Sequence, residues 1–105
     1  MVEIPDKIKR VIESYVNLLN YNGIPVQSLF LYGSYAKGEQ SEYSDIDIAL
    51  ISEIFEGKRI PDRSKIRKLT LSVSSDLEVM PFNPKDFNMG NPFAREIMES
   101  GIRIV

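Results

Sequence analysis

The chain has 105 residues, enough for one hydrophobic core and one domain spanning residues 1–105. It contains neither cysteine nor histidine, which excludes disulfides, thiolate metal sites, imidazole bases, Ser-His-Asp triads and histidine-bound zinc. A net charge of −2 supplies no basic field over the whole molecule, so nucleic-acid binding stays open, and any metal would sit among oxygens, which suits magnesium, manganese or calcium.

In chain order, Pro5 and Asp6 open a helical pattern in which Ile8, Val11, Ile12, Tyr15, Val16 and Leu19 recur at i, i+3 and i+4. Proline suits a first turn, and Asp6 complements the helix dipole there. Asn22, Gly23 and Pro25 stop the helix. Val26 to Tyr32 reads as a short apolar strand, and Gly33 to Gly38 as a tight turn entering a short helical turn. Asp45 to Ile51 is a second strand, with Ile46, Ile48 and Leu50 alternating against Asp45 and Asp47.

Glu53 to Pro61 is expected to be a loop and Asp62 to about Val73 a helix, striped by Ile66, Leu69 and Val73. Ser74 and Ser75 break it before a third strand, Leu77 to Phe82, which Pro81 and Pro84 end. Pro92 to Ser100 is a last helix with Gly101 as its stop, and Ile102 to Val105 an edge strand. Helices alternating with three or four strands predict an α/β domain built on a central sheet. No apolar run approaches the ~20 residues of a membrane span and no signal-peptide pattern appears, so a soluble cytoplasmic protein without a membrane partner is expected.

Several features have an ordinary reading. The basic stretch Lys58 to Lys68 (KRIPDRSKIRK) reads first as a solvated helix face and second as a contact for a ligand or partner. Tyr15, Tyr21, Phe30 and Tyr32 read as core or rim residues, and Met80, Phe82, Phe87 and Met89 as an apolar packing group around prolines.

The stretch LFLYGSYAKGEQSEYSDIDIALIS, Leu29 to Ser52, is less ordinary. Asp45 and Asp47 are two apart on a strand and so share one face. Two carboxylates brought to ~4 Å repel by about 4 kcal/mol at an effective dielectric near 20, unless a cation lies between them. A divalent metal converts that penalty into affinity; a solvated sheet edge blunted by acids is the alternative. Upstream, Gly33 leaves backbone space for a phosphate and Ser34 begins a helical turn with free amides. Lys37 adds positive charge, and Gly38 permits the exit. Together they describe a site for a metal-bound polyphosphate, the turn holding phosphates and the carboxylates holding metals.

GSYAKG followed by SDIDIAL resembles the hG[GS]…[DE]h[DE]h signature of the DNA polymerase β-type nucleotidyltransferase superfamily, and its small stand-alone members, the minimal nucleotidyltransferases, in particular. The resemblance implies a small mixed sheet of three or four strands flanked by helices, like the polymerase β catalytic core. It implies that Gly33 and Ser34, with Lys37 nearby, contact nucleotide phosphates and that Asp45 and Asp47 ligate two magnesium ions, manganese being able to replace them. Many relatives carry arginine at the positions of Tyr35 and Lys37; only Lys37 keeps the charge. The family needs a third carboxylate between apolar residues on a neighbouring strand. In SSDLEVMPF, Glu78 fits that pattern, with Asp76 as the alternative. The loop holding Glu39, Glu42 and Tyr43 is read as solvated, with Tyr43 as an alternative contact for a base.

The activity implied is transfer of a nucleoside monophosphate, AMP first, from a nucleoside triphosphate to a hydroxyl, with release of pyrophosphate. The alternative is an antitoxin that binds a HEPN-type protein, with or without catalysis, and a third reading is a nucleotide-binding module without turnover. Homo-oligomerisation and the acceptor stay open.

Overall fold

The computed structural model describes residues 3–41 and 44–105, so Glu42 and the base contact suggested for Tyr43 lie outside the described residues. Helix α1 runs Asp6–Tyr21 behind Pro5, with Ile8, Ile12, Tyr15 and Leu19 buried along one stripe. It ends where Asn22 turns back, donating from its side chain to Leu18 O at 2.8 Å, before Gly23 takes a positive φ. Tyr21 corrects the expectation of a core or rim residue: two positions past Leu19 it leaves the stripe and is 89% exposed.

The remaining elements are β1 (Ser28–Tyr32), α2 (Ser34–Lys37), β2 (Ile46–Ile51), α3 (Arg59–Val73), β3 (Leu77–Phe82), α4 (Pro92–Ser100) and β4 (Ile102–Arg103). The four strands form one mixed sheet in the order β3-β2-β1-β4, with β2 and β3 parallel and the other pairs antiparallel. A parallel pair needs a long crossover, and α3 supplies it. β1 begins two residues later than Val26 because its pairing begins at Ser28 opposite Ile51. β4 is shorter than expected, although Ile104 still donates to Leu29 O at 2.8 Å.

Helix α3 starts three residues earlier than the sequence pattern suggests, so Arg59 to Pro61 are helix and not loop. Pro61 falls in the first turn, where its missing N–H would have had no partner. Asp62 then reaches back: its buried carboxylate accepts from the amides of Glu56 (2.8 Å), Gly57 (2.8 Å) and Lys58 (2.9 Å). The helix-breaking proline and this backward cap together hid the true start.

Alternation divides the sheet into two faces. On one, Leu29, Leu31, Ile48, Leu50 and Val79 pack against Ile12, Tyr15 and Leu19 of α1 and Ile66 of α3. On the other, Phe30, Ala49, Ile51 and Phe82 pack against Ala94 and Ile97 of α4, with Met80, Phe87 and Phe93 alongside. Met89 does not join that group; it lies in the turn before α4 and is half-exposed. Asn91 caps α4 through its side chain, accepting from Phe93 and Ala94. Among the described residues no helix is long and apolar enough to cross a membrane.

Candidate functional site

Register decides which side chains meet. Tyr32 of β1 is opposite Asp47 of β2, and Asp47 is opposite Glu78 of β3. Partners in register point to the same face, so the three form a row across adjacent strands. The row lies at the end of the face that α4 covers, next to the bend after β1. Tyr32 meets Phe93 of α4 edge-on, with ring centroids 5.7 Å apart, which marks where the apolar cover stops.

The bend is pressed against the second of these residues. Gly33 adopts φ 72° and ψ −147°, a conformation that essentially only glycine takes. A Cβ at this position would overlap Asp47 Oδ2 and approach Asp47 Cγ to 3.2 Å. Glycine is therefore required twice, by its backbone angles and by the carboxylate behind it. The short helix α2 follows, with Ala36 and Lys37 amides both donating to Gly33 O at 3.2 Å. The amides of the turn's first residues have no partner within it. Gly38 closes the turn in the left-handed conformation, as expected of an exit residue.

Electrostatics reports the same convergence. Burial, then the Asp45 carboxylate, then that of Glu78 raise the pKa of Asp47 above its usual value. Tyr32 is pushed up to about 12 by burial and by the negative charges of Asp47 and Glu78, against the opposing pull of Arg59 and Arg63. Asp45 sits one residue before β2, exposed, and acts on Asp47 through this field. Asp76 is exposed just before β3; its N–H donates to Ser74 Oγ at 3.1 Å, and its carbonyl accepts from Ile46 N–H at 2.8 Å. Its backbone thus starts the strand pair, while Glu78 stands beside Asp47.

The structure also separates residues that the sequence grouped. Tyr35 is buried in the main core, so it faces away from solvent and any phosphate. Lys37 is exposed at the end of α2 and makes no ion pair among the described residues. Glu78 is drawn to Arg63 of α3, which donates from Nη2 to Oε1. Among the described residues, no three acidic side chains come together on one point as a ready-made ion group. Like charges repel, and Arg63 offers Glu78 the nearest positive charge.

Arg63 and Arg59 also act on this row, and they belong to the basic stretch Lys58 to Lys68 whose second reading was a ligand or partner contact, although the sequence singled out neither. Their i, i+4 spacing within the basic stretch places both on one side of α3, which was legible. Which strand that side overhangs was not.

A family model described as a nucleotidyltransferase domain matches residues 5–104. No curated protein matches the chain. Among solved structures, a toxin-antitoxin complex crystallised with AMP-PNP is 26% identical, with TM-score 0.60 over 87% of this chain and 69% of that one. A protein of Sulfolobus solfataricus described as a nucleotidyltransferase is 15% identical, with TM-score 0.58 over 89% of this chain and 84% of that one. A mutant of the toxin-antitoxin pair MntA-HpeT is 22% identical, with TM-score 0.57 over 87% and 69%. The last two likenesses speak to the fold alone. With all but its first four residues and its last one inside the family match, the chain belongs to the nucleotidyltransferase domain family.

Proposed function

We propose that residues 1–105 act as a single minimal nucleotidyltransferase that moves a nucleoside monophosphate, AMP first, from a nucleoside triphosphate to a hydroxyl acceptor. The observation that carries this reading is the row of Tyr32, Asp47 and Glu78 with Asp47 packed against the Gly33 bend. An acidic strand set directly against a glycine-serine turn suits a polyphosphate bound with its cation; it has no use in a packed core.

The donor set fits hard divalent cations in its chemistry, since Asp45, Asp47 and Glu78 offer only oxygens and Asp47 lies directly against the Gly33 bend. Magnesium, with manganese as a substitute, would be held by these three carboxylates, and it supplies charge neutralisation and activation of an oxygen nucleophile when bound. The chain's own residues do the rest. Gly33 and Ser34 receive the phosphates on turn amides and hydroxyl, and Lys37 adds long-range attraction for the triphosphate. Glu78, on the open edge of the sheet, takes the proton of the incoming hydroxyl. A bond forms between the acceptor oxygen and the α-phosphorus while the bond to the β-phosphate oxygen breaks, so pyrophosphate leaves with the electron pair. Freedom from cysteine fits a reducing cytosol as the place of work.

The test is single-turnover labelling with α-labelled ATP and magnesium in the presence of host lysate. The expected result is label on an acceptor with the parent protein and at least ~100-fold less with Asp47→Asn. Equal labelling by that variant would overturn the assignment.

A second reading draws on the toxin-antitoxin complex that is 26% identical: this chain neutralises a HEPN-type protein by binding it. A stoichiometric complex that forms and still neutralises with Asp45→Asn and Asp47→Asn supports binding alone. Loss of neutralisation with retained binding supports catalysis.

A further inference from the structure

Arg63 belongs to α3, which packs on the face of the sheet opposite Asp47 and Glu78. Its guanidinium nevertheless reaches Glu78, passing over the open edge of β3, the last strand of the sheet. The pair is half-exposed on both sides, with side-chain exposures of 44% and 51%. Such pairs contribute little to stability and exchange readily. Beside it runs a groove of about 420 Å³ between α3 and β3, lined in part by Arg63, Ser64, Arg67 and Glu78, which gives the guanidinium room to move. Arg63 also lies within electrostatic reach of Tyr32, at the far end of the row.

We propose that Arg63 is an exchangeable counter-ion for Glu78: it holds this carboxylate at the sheet edge until a divalent cation takes it, and the released guanidinium then pairs with a phosphate of the bound nucleotide. This inference rests on the reading of Asp45, Asp47 and Glu78 as cation ligands. It uses the charge of Arg63 twice, first as the counter-ion of Glu78 and then as a phosphate contact. A carboxylate paired with arginine is less available to a metal, so the pair weakens cation binding in the empty site. Once freed, a planar fork of donors suits a phosphate better than a lysine ammonium does. The two roles have opposite signs, which a merely structural ion pair would not produce.

The experiment measures free manganese by EPR during titration of the whole chain, and separately the affinity for AMP-PNP at saturating manganese. Without nucleotide, Arg63→Gln is expected to bind manganese about two- to fivefold more tightly, the range an exposed ion pair can withhold. With manganese saturating, the same variant is expected to bind AMP-PNP about three- to tenfold more weakly. Arg63→Lys should restore only part of the nucleotide affinity. In a Glu78→Gln background, Arg63→Gln should no longer tighten manganese binding, because the competing partner is gone. Unchanged or weaker manganese binding by Arg63→Gln, in a parent that does bind manganese, overturns the proposal and leaves the transfer reading intact. A parent that binds no manganese overturns both. Circular dichroism of Arg63→Gln, an exposed substitution, should match the parent.

Discussion

Gly33 and Asp47 show how one contact fixes the character of a site. The glycine takes φ 72° and ψ −147°, and the space its missing Cβ leaves is filled by the carboxylate of Asp47. Gly33→Ala is therefore expected to cost about 1–3 kcal/mol from backbone strain alone, lowering the melting temperature measured by circular dichroism. Truncation of the neighbour in the double variant with Asp47→Ala should recover the part due to overlap. Asp47 itself is held in a poor environment for a charge, by burial, Asp45 and Glu78. Its folded-state pKa is raised, so the folded chain binds this proton more tightly than the unfolded chain does. Stability thus falls as pH rises from the unfolded value through the folded one, and the penalty is complete above it. Asp47→Asn is accordingly expected to melt higher than the parent at neutral pH without divalent ions, while losing transfer. Melting curves at pH 4 and pH 7 check this: the gap between variant and parent should be larger at pH 7.

At the scale of elements, α3 depends on Asp62. Burial works against its charge, but the amides of Glu56, Lys58 and Gly57 and the nearby Lys65 outweigh that and hold its pKa below the usual value. Lys65 Nζ stands 3.6 Å from Asp62 Oδ1 and donates to Ile54 O at 2.9 Å, so the loop and the helix start are tied together. Replacing Asp62 by alanine strands three amides and should cost about 2 kcal/mol or more, a fall in melting temperature of roughly 8–16 °C. The sign of its pH dependence is opposite to that of Asp47. A depressed folded pKa gives stability that is fully present above the unfolded value and is lost as pH falls through the folded one. Acid unfolding below the ordinary carboxylate range should therefore be shallower in Asp62→Asn than in the parent. The edge strand β3 is managed differently. Asp76 and Phe82 carbonyls both face β2, so the alternation puts Pro81 on the open side, where it withholds a donor from any chain that might pair there.

Over the whole molecule, the two faces of the sheet have separate tasks. The face under α1 and α3 carries the larger core and is tied by Tyr15, whose hydroxyl lies 2.7 Å from Thr70 Oγ1. Thr70 gives its own proton to Ile66 O at 2.9 Å, so Tyr15 is the donor in this bond. Burial pushes Tyr15 up to about 12, against the lowering effect of Thr70, so the proton stays in place at physiological pH. Tyr15→Phe should cost about 1 kcal/mol and lower the melting temperature by about 4–8 °C. Because Tyr15 lies on the face away from Asp47, manganese binding should not change. The other face is covered only by α4 and its aromatic neighbours, and the acidic row stands where that cover ends.

The sequence alone determined the element order, the two-strand acidic pattern and the need for glycine at the bend. Each follows from local rules: alternation on a strand, a 3.6-residue stripe on a helix, and the backbone freedom of one residue type. It also supported Glu78 over Asp76, since apolar neighbours on both sides mark a strand interior. Tertiary structure decided what those rules cannot reach. Whether Asp47 stands beside Glu78 depends on the register of β2 and β3, which contacts some thirty positions apart in the chain must set. Tyr35 went to the core and Tyr21 to solvent because helix orientation, not residue type, chose their sides. Arg63 could meet Glu78 only after the crossover had laid α3 along the open edge of the sheet.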